Sequence, residues 1–230
     1  MFSRPQNAGD LSTTLQALQA RVQQLEGRGG VGGVGQDRKV VSSGCVALDR
    51  LLPGGGFATG QLVEWLGEGW GSGVGTLAFW MASRAVGEGR ALVVVDRQRK
   101  FYPPAVVYRG GGCCDEEGMT RCISGCMVVH PRDESDELWA LDQILRCSAV
   151  GSVWCCLPRL SSRDFRRLQL AAEQGGVLGM LVRPERVRGQ PSWAEMQWLV
   201  QPLPAAVAES SRRWRLQLVR CRGGVAGSEC

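Results

Sequence analysis

The sequence lacks a membrane-spanning segment, since none of its apolar runs approaches the roughly 18 residues that a transmembrane helix needs. Its first ten residues, MFSRPQNAGD, also lack the apolar core of a signal peptide. Because both features are missing, we expect a cytoplasmic protein that has no membrane partner.

Histidine is almost absent, and His130 is the only one in the chain. A nucleophile activated by histidine would have to use this residue, and no recognisable partner motif accompanies it. We therefore interpret His130 as structural and assign no catalytic residue.

The chain has ten cysteines but lacks the two short C-x₂₋₄-C units that are typical of structural zinc sites. Four cysteines fall in one loop-like stretch: Cys113, Cys114, Cys122 and Cys126. They form an adjacent pair, a long gap and a single C-x₃-C unit, so the sequence predicts no metal site. Without an export signal a disulfide framework is not expected either. Cys155 and Cys156 lie in an apolar run and are interpreted as core residues.

The net charge is only +5, and most of the 27 basic residues are arginines that cluster in the second half of the chain. Such a cluster is either a solvated surface or a contact with DNA or with an acidic partner. Tryptophans lie in the same half, and enrichment in arginine and aromatic residues also suits a protein interface. Our candidate contacts with a partner or DNA are Trp214, Arg215, Arg220 and Arg222.

The 230 residues are enough for one sizeable core with short appendages. Apolar residues at helical spacing predict a helix within residues 1–26, which either packs on its own domain or binds a partner. A glycine-rich linker follows over 27–38. We expect one domain over 39–222 and a flexible tail over 223–230.

Strand and helix patterns alternate along the domain. The predicted strands cover 61–66, 91–95, 126–129, 153–157 and 177–182, and the predicted helices between them cover 76–86, 133–147 and 161–174. Two further strands over 196–201 and 214–219 have no helix between them and predict an antiparallel pair at the sheet edge. The sequence therefore predicts an α/β fold with a mostly parallel sheet flanked by helices.

A glycine-rich loop over 67–75 joins the first of these strands to a helix, which is the layout of a phosphate-binding P-loop. The pattern G-x-x-x-x-G-K-[ST] is not met: Gly67 and Gly73 are one residue too far apart, and Val74 stands where the lysine belongs. The residues of this degenerate loop that remain candidates for cofactor binding are Gly67, Gly71, Gly73, Gly75 and Thr76.

A P-loop ATPase also needs an acidic residue at the end of a later strand to hold Mg²⁺. The fourth predicted strand ends instead in Leu157 and Pro158, neither of which binds a metal. We therefore expect no ATP hydrolysis and no ATP cofactor. Asp96 follows another strand, and we interpret it as a solvated strand end rather than a catalytic group.

The order of these segments resembles the RecA core, in which an S-x-G-x-x-x-L-D segment and a glycine turn precede the P-loop strand. The sequence SSGCVALDRLLPGGGFATGQLVEWLGEG is similar to that entry. The whole of about 39–224 is similar to the ImuA family of SOS mutagenesis proteins in LPGGG, ALVVVD with a following YPPA, SAVG, RRLQLAAEQGG and a basic strand ending in RGG.

The resemblance implies a RecA-like core that acts without a working ATP site, as an accessory to error-prone translesion DNA synthesis. The partners that it implies are an ImuB-like Y-family polymerase homologue and an error-prone DnaE-type polymerase, with RecA and DNA as further candidates. Two alternatives stay open: a SulA-like cell-division inhibitor that binds FtsZ, and a diverged RecA-type ATPase.

Overall fold

The computed structural model describes residues 38–86, 89–102, 126–204, 213–222 and 227. These residues belong to one compact unit, Arg38–Cys230. The predicted helix over 1–26, all of the linker except Arg38, and all of the tail over 223–230 except Gly227 lie outside the described residues. So do three of the four loop cysteines.

The described part of the unit contains nine strands and four α-helices. The strands are β1 (Val40–Val41), β2 (Phe57–Ala58), β3 (Leu62–Gly67), β4 (Ala91–Val95), β5 (Cys126–Val129), β6 (Val150–Cys156), β7 (Leu178–Pro184), β8 (Met196–Leu203) and β9 (Arg213–Cys221). The helices are α1 (Val46–Asp49), α2 (Val74–Arg84), α3 (Glu134–Arg146) and α4 (Ser162–Gly175). None of these helices is both long enough and apolar enough to cross a membrane.

Seven strands form one sheet in the order β5-β4-β6-β7-β3-β8-β9. All neighbouring strands are parallel except β8 and β9, which pair in the antiparallel direction at the edge. The predicted fold class is therefore confirmed. β8 also lies parallel to β3, which makes β3 a central strand with neighbours on both sides.

Both faces of the sheet are covered, which explains the continuous apolar runs of its central strands. All six residues of β3 are buried. Helix α2 packs on one face with Trp65 and Trp198. Helices α3 and α4 supply Leu141 and Phe165 to the core on the other face.

The helices of the second face begin where the sequence predicts them to begin. The side chain of Asp133 accepts hydrogen bonds from the backbone N–H groups of Ser135 and Asp136, at 2.8 and 2.9 Å, and so caps α3. The Ser161 hydroxyl accepts from the N–H of Asp164 at 3.1 Å and caps α4. These polar residues define where the helices begin, because their side chains accept hydrogen bonds from N–H groups that have no acceptor within the helix.

One difference from the predicted elements has a clear cause. The strand predicted over 153–157 begins at Val150, so the SAVG turn is partly strand. Its glycine, Gly151, lies where a Cβ would come within 3.0 Å of the backbone of Val86, and the Ser152 hydroxyl donates to the Ala82 carbonyl at 2.6 Å. Helix α2 can approach this strand closely because Gly151 has no side chain and the Ser152 hydroxyl is hydrogen-bonded to the helix.

Candidate binding site at the glycine loop

The glycine loop leaves the carboxyl end of β3, in the middle of the sheet, and enters α2. Gly69 and Gly73 have φ values of 67° and 78°, which side chains other than glycine rarely adopt. Between them, Trp70–Ser72 forms one 3₁₀ turn. The glycines are therefore required by the path of the backbone, whatever the loop binds.

The centre of the loop is filled by the loop's own side chains. The Ser72 hydroxyl donates to the Gly69 carbonyl at 2.9 Å and makes a long contact, 3.5 Å, with the N–H of Val74. Ser72 and Val74 are 3% and 4% exposed. A Cβ on Gly67 would lie 2.8 Å from the side chains of both, so the valine that replaces the P-loop lysine packs back onto the loop.

Two tryptophans hold the loop from outside. The Trp214 indole N–H of β9 donates to the Ser72 carbonyl at 3.0 Å, and the ring packs edge-on against Trp80 at 6.2 Å. The Trp154 indole N–H of β6 donates to the Gly75 carbonyl at 3.0 Å. Trp214, which the sequence suggests as a partner contact, is thus half-buried and fixes the loop.

An open cavity of about 360 Å³ lies beside the loop. Of the five candidate cofactor residues, Gly67, Gly73, Gly75 and Thr76 line it and Gly71 does not. Its aromatic wall comes from three separate segments: Phe79 of α2, Phe101 of the segment after β4, and Trp154 of β6. The ring of Phe101 lies 5.1 Å from that of Phe79 and 5.7 Å from that of Trp154.

The charged residues of the cavity are all basic. Lys100, Arg183 and Arg186 line it, and its described lining contains no carboxylate. The strand β6 ends at Cys156, and buried Leu157 and Pro158 follow it in place of the missing acid. Burial raises the pKa of Cys156 to about 12, so this thiol is neutral at physiological pH and is a poor nucleophile.

The positive charge of Arg183 is balanced by a buried hydrogen-bond network around Glu64. The Arg183 guanidinium contacts the carboxylate of Glu64 at 2.6 Å, and both residues are buried. The same carboxylate accepts from Ser192 Oγ at 2.6 Å and from Gln197 Nε2 at 2.8 Å. Glu64 therefore has three donors, which is the condition under which a carboxylate can be buried in a central strand.

Asp96 corrects one expectation from the sequence, because it is 5% exposed rather than solvated. Its carboxylate accepts from the N–H of Phe101 at 2.7 Å, and its carbonyl lies 2.8 Å from Nδ1 of His130. Asp96 thus fixes the segment that carries Phe101, one of the three residues of the aromatic wall. Arg97 next to it pairs with Glu137 at 2.9 Å, and burial raises the pKa of that glutamate despite the arginine.

The arginines among the candidate contacts have contacts that differ from those of Trp214. Arg220 donates to the Ser192 carbonyl at 2.8 Å, and the guanidinium of Arg222 lies 5.6 Å from the centre of the Trp193 ring. Arg215 is exposed on β9. The β8–β9 pairing has a register shift between Gln197 and Trp198.

No sequence pattern predicted the aromatic wall. Phe79, Phe101 and Trp154 are far apart in the chain, and each fits an ordinary core position. No group of three or more histidine, cysteine or acidic side chains is arranged to hold a metal ion in the described ranges.

The sheet order, the loop at the end of β3 and the antiparallel edge define a RecA-like fold. The crystal structure of the RadB recombinase has the same fold, with a TM-score of 0.62 and 20% sequence identity over 83% of this chain and 94% of that chain. No protein-family model matches the sequence.

The chain is similar to Protein ImuA, as its resemblance to that family predicts. It is 26% identical over 209 residues to Protein ImuA of Caulobacter vibrioides strain NA1000 / CB15N, which covers 82% of this chain and 81% of that protein. Protein ImuA of C. vibrioides strain ATCC 19089 gives the same values.

Proposed function

We propose that this protein is a non-catalytic, RecA-like accessory protein in SOS-induced, error-prone translesion DNA synthesis. It works in the cytoplasm by binding an ImuB-like Y-family polymerase homologue, which in turn acts with an error-prone DnaE-type polymerase. RecA and DNA are further contacts that the same proposal allows.

The observation that carries the proposal is the filled glycine loop in a chain similar to ImuA. Ser72 and Val74 are buried and pack against the loop, and Leu157 and Pro158 follow β6 where a P-loop ATPase has an acid. This arrangement supports a role in binding rather than in hydrolysis, because the loop lacks the P-loop lysine and the strand end lacks the acid that would hold Mg²⁺.

The test is affinity purification of the tagged full-length chain from DNA-damaged cells, followed by mass spectrometry. We expect the ImuB-like protein to be captured and FtsZ not to be captured. A tagged unrelated RecA-fold protein from the same damaged cells is the control for non-specific binding. Capture of FtsZ without the ImuB-like protein would favour the division inhibitor and would reject the proposal.

A further inference from the structure

Strand β9 forms one edge of the seven-stranded sheet, and its pairing with β8 shows which of its backbone groups point outward. Pro202 of β8 lies opposite Trp214. Since proline has no N–H to donate, the two residues do not form a hydrogen-bonded pair, and the N–H and C=O groups of Trp214 point away from β8. The pattern repeats every second residue along an antiparallel pair, so the backbone groups of Leu216 and Leu218 also point outward.

The hydrogen bonds of the described residues agree with this pattern. The N–H of Gly227 donates to the outward carbonyl of Leu218 at 2.8 Å, so the edge accepts a hydrogen bond from a further segment of chain. No described residue forms such a backbone bond with Trp214 or Leu216 on that side. These two residues therefore present N–H and C=O groups at the regular spacing of a strand edge.

The side chains at this edge are incompletely covered. Trp214 and Leu216 pack against the core on the α2 face of the sheet but are only partly buried. Arg213 points to the other face, because side chains alternate along a strand, and it is exposed. A strand added beside β9 would bury more of the two apolar side chains and would face Arg213 with its alternate residues. The segment that fits is therefore apolar on one face and polar or acidic on the other.

An extended polypeptide of different sequence fits this edge better than a nucleic acid or a second copy of the strand. The alternating N–H and C=O groups are matched by another extended peptide backbone and offer a nucleic acid no such match. A second copy of β9 has the right backbone, but the stretch RWRLQLVRCR over 213–222 contains arginines and no acidic residue. Two copies side by side would bring like charges together.

We propose that the outer edge of β9, over 213–217, binds an extended segment of the partner protein as an added β-strand. The inference rests on the proposed function for the identity of the partner. It assigns the affinity to backbone hydrogen bonds at Trp214 and Leu216 and to the apolar surface of these two side chains.

The experiment measures the dissociation constant between the purified full-length chain and the purified ImuB-like partner. Leu216→Pro removes the outward N–H and no bond to β8, which is the position in a sheet where proline is tolerated. Leu216→Ala is the matched control, because it also loses the leucine side chain but keeps the N–H. We expect Leu216→Pro to bind about tenfold or more weakly than Leu216→Ala. Circular dichroism checks that both variants are folded.

Hydrogen exchange of the wild-type chain gives a second readout that does not depend on a variant. The outward amides of Trp214 and Leu216 should exchange faster than the amides of Arg215 and Gln217, which face β8. Addition of the partner should slow the first two amides by about tenfold or more and should leave the second two nearly unchanged.

The outcomes separate the inference from the proposed function. If wild type binds the partner and the two variants bind equally well, or the outward amides gain no protection, the inference is wrong while the proposed function stands. If wild type does not bind the partner, both are wrong. Sedimentation of the chain alone is the last arm: a dimer that Leu216→Pro dissociates would assign the edge to a second copy and overturn the inference.

Discussion

Gly73 lies directly against the indole of Trp214. A Cβ at this position would come within 2.5 Å of Nε1, and the φ of 78° is unfavourable for any other residue. The indole in turn donates to the neighbouring carbonyl of Ser72. At the scale of single residues, the loop is thus retained by packing and by backbone conformation.

We predict that Gly73→Ala lowers the free energy of unfolding by at least about 1–2 kcal/mol, through backbone strain and contact with the indole. Gly71 is the matched control, because its φ is not positive and a Cβ there meets nothing within 4 Å. Urea unfolding of the two variants measures the difference. Equal stability of Gly73→Ala and Gly71→Ala would contradict this account of the loop.

The Glu64–Arg183 pair supports a second prediction at the residue scale. We expect Arg183→Met to cost about 3–5 kcal/mol of stability, because it leaves the fully buried Glu64 carboxylate without its cation. Adding Glu64→Gln should restore part of this loss, since an amide still bonds to Ser192 and Gln197. Arg188→Met, at an exposed arginine nearby, is the control in the same urea unfolding series. A cost for Arg183→Met no greater than that of the control would show that the pair is not needed.

At the scale of elements, the join between β3 and β8 depends on Glu195. Its carboxylate accepts from the N–H of Leu62 at 3.0 Å, and its own N–H donates to the Leu62 carbonyl at 3.0 Å. Burial raises the pKa of this carboxyl, an effect that the backbone hydrogen bond opposes. The strand start is therefore positioned by a group that is costly to ionise.

A raised pKa means that folded Glu195 holds its proton to higher pH than the unfolded chain does. Its contribution to stability is therefore most favourable at acidic pH and falls as pH rises through the folded pKa. We predict that Glu195→Gln, which cannot ionise, becomes more stable relative to wild type as pH rises from the acidic range to neutral.

Thermal unfolding of both proteins across this pH range measures the difference in stability between the variant and wild type. The other titrating groups are the same in both proteins, so their effects cancel. Glu68→Gln, at an exposed residue of the glycine loop, is the control and should show a smaller pH-dependent difference. A Glu195→Gln difference that does not change with pH would argue against ionisation of the buried carboxyl.

At the scale of the whole molecule, the RecA-like sheet keeps the glycine loop but lacks the P-loop lysine and the strand-end acid that would bind Mg²⁺. The prediction for the full chain is the absence of ATP turnover above background in the presence of Mg²⁺. Mg·ATP should also leave the unfolding midpoint unchanged, because a ligand that does not bind the native state cannot stabilise it. Turnover that a Gly73→Asp substitution abolishes would assign hydrolysis to this loop and would revive the diverged ATPase.

The architecture of the whole sheet was largely predictable from the sequence. Apolar runs such as ALVVV fall where β4 lies, and the two late strands without a helix between them form the antiparallel edge. The start of β6 was less predictable. Gly151 and Ser152 suit a strand there only because they contact α2 and the residues after it. Such a contact is not encoded in local pattern.

The sequence by itself determined that the glycine loop has no lysine and that the later strand β6 is not followed by an acid, since both depend only on residue type at a known spacing. Only the tertiary structure decided what packs against the loop, because Ser72, Val74 and Trp214 come from a loop, a helix and the last strand. It likewise decided that a cavity with an aromatic wall and a basic mouth lies beside the loop. Side chains from distant segments converge only when parallel strands bring their carboxyl ends to one edge of the sheet.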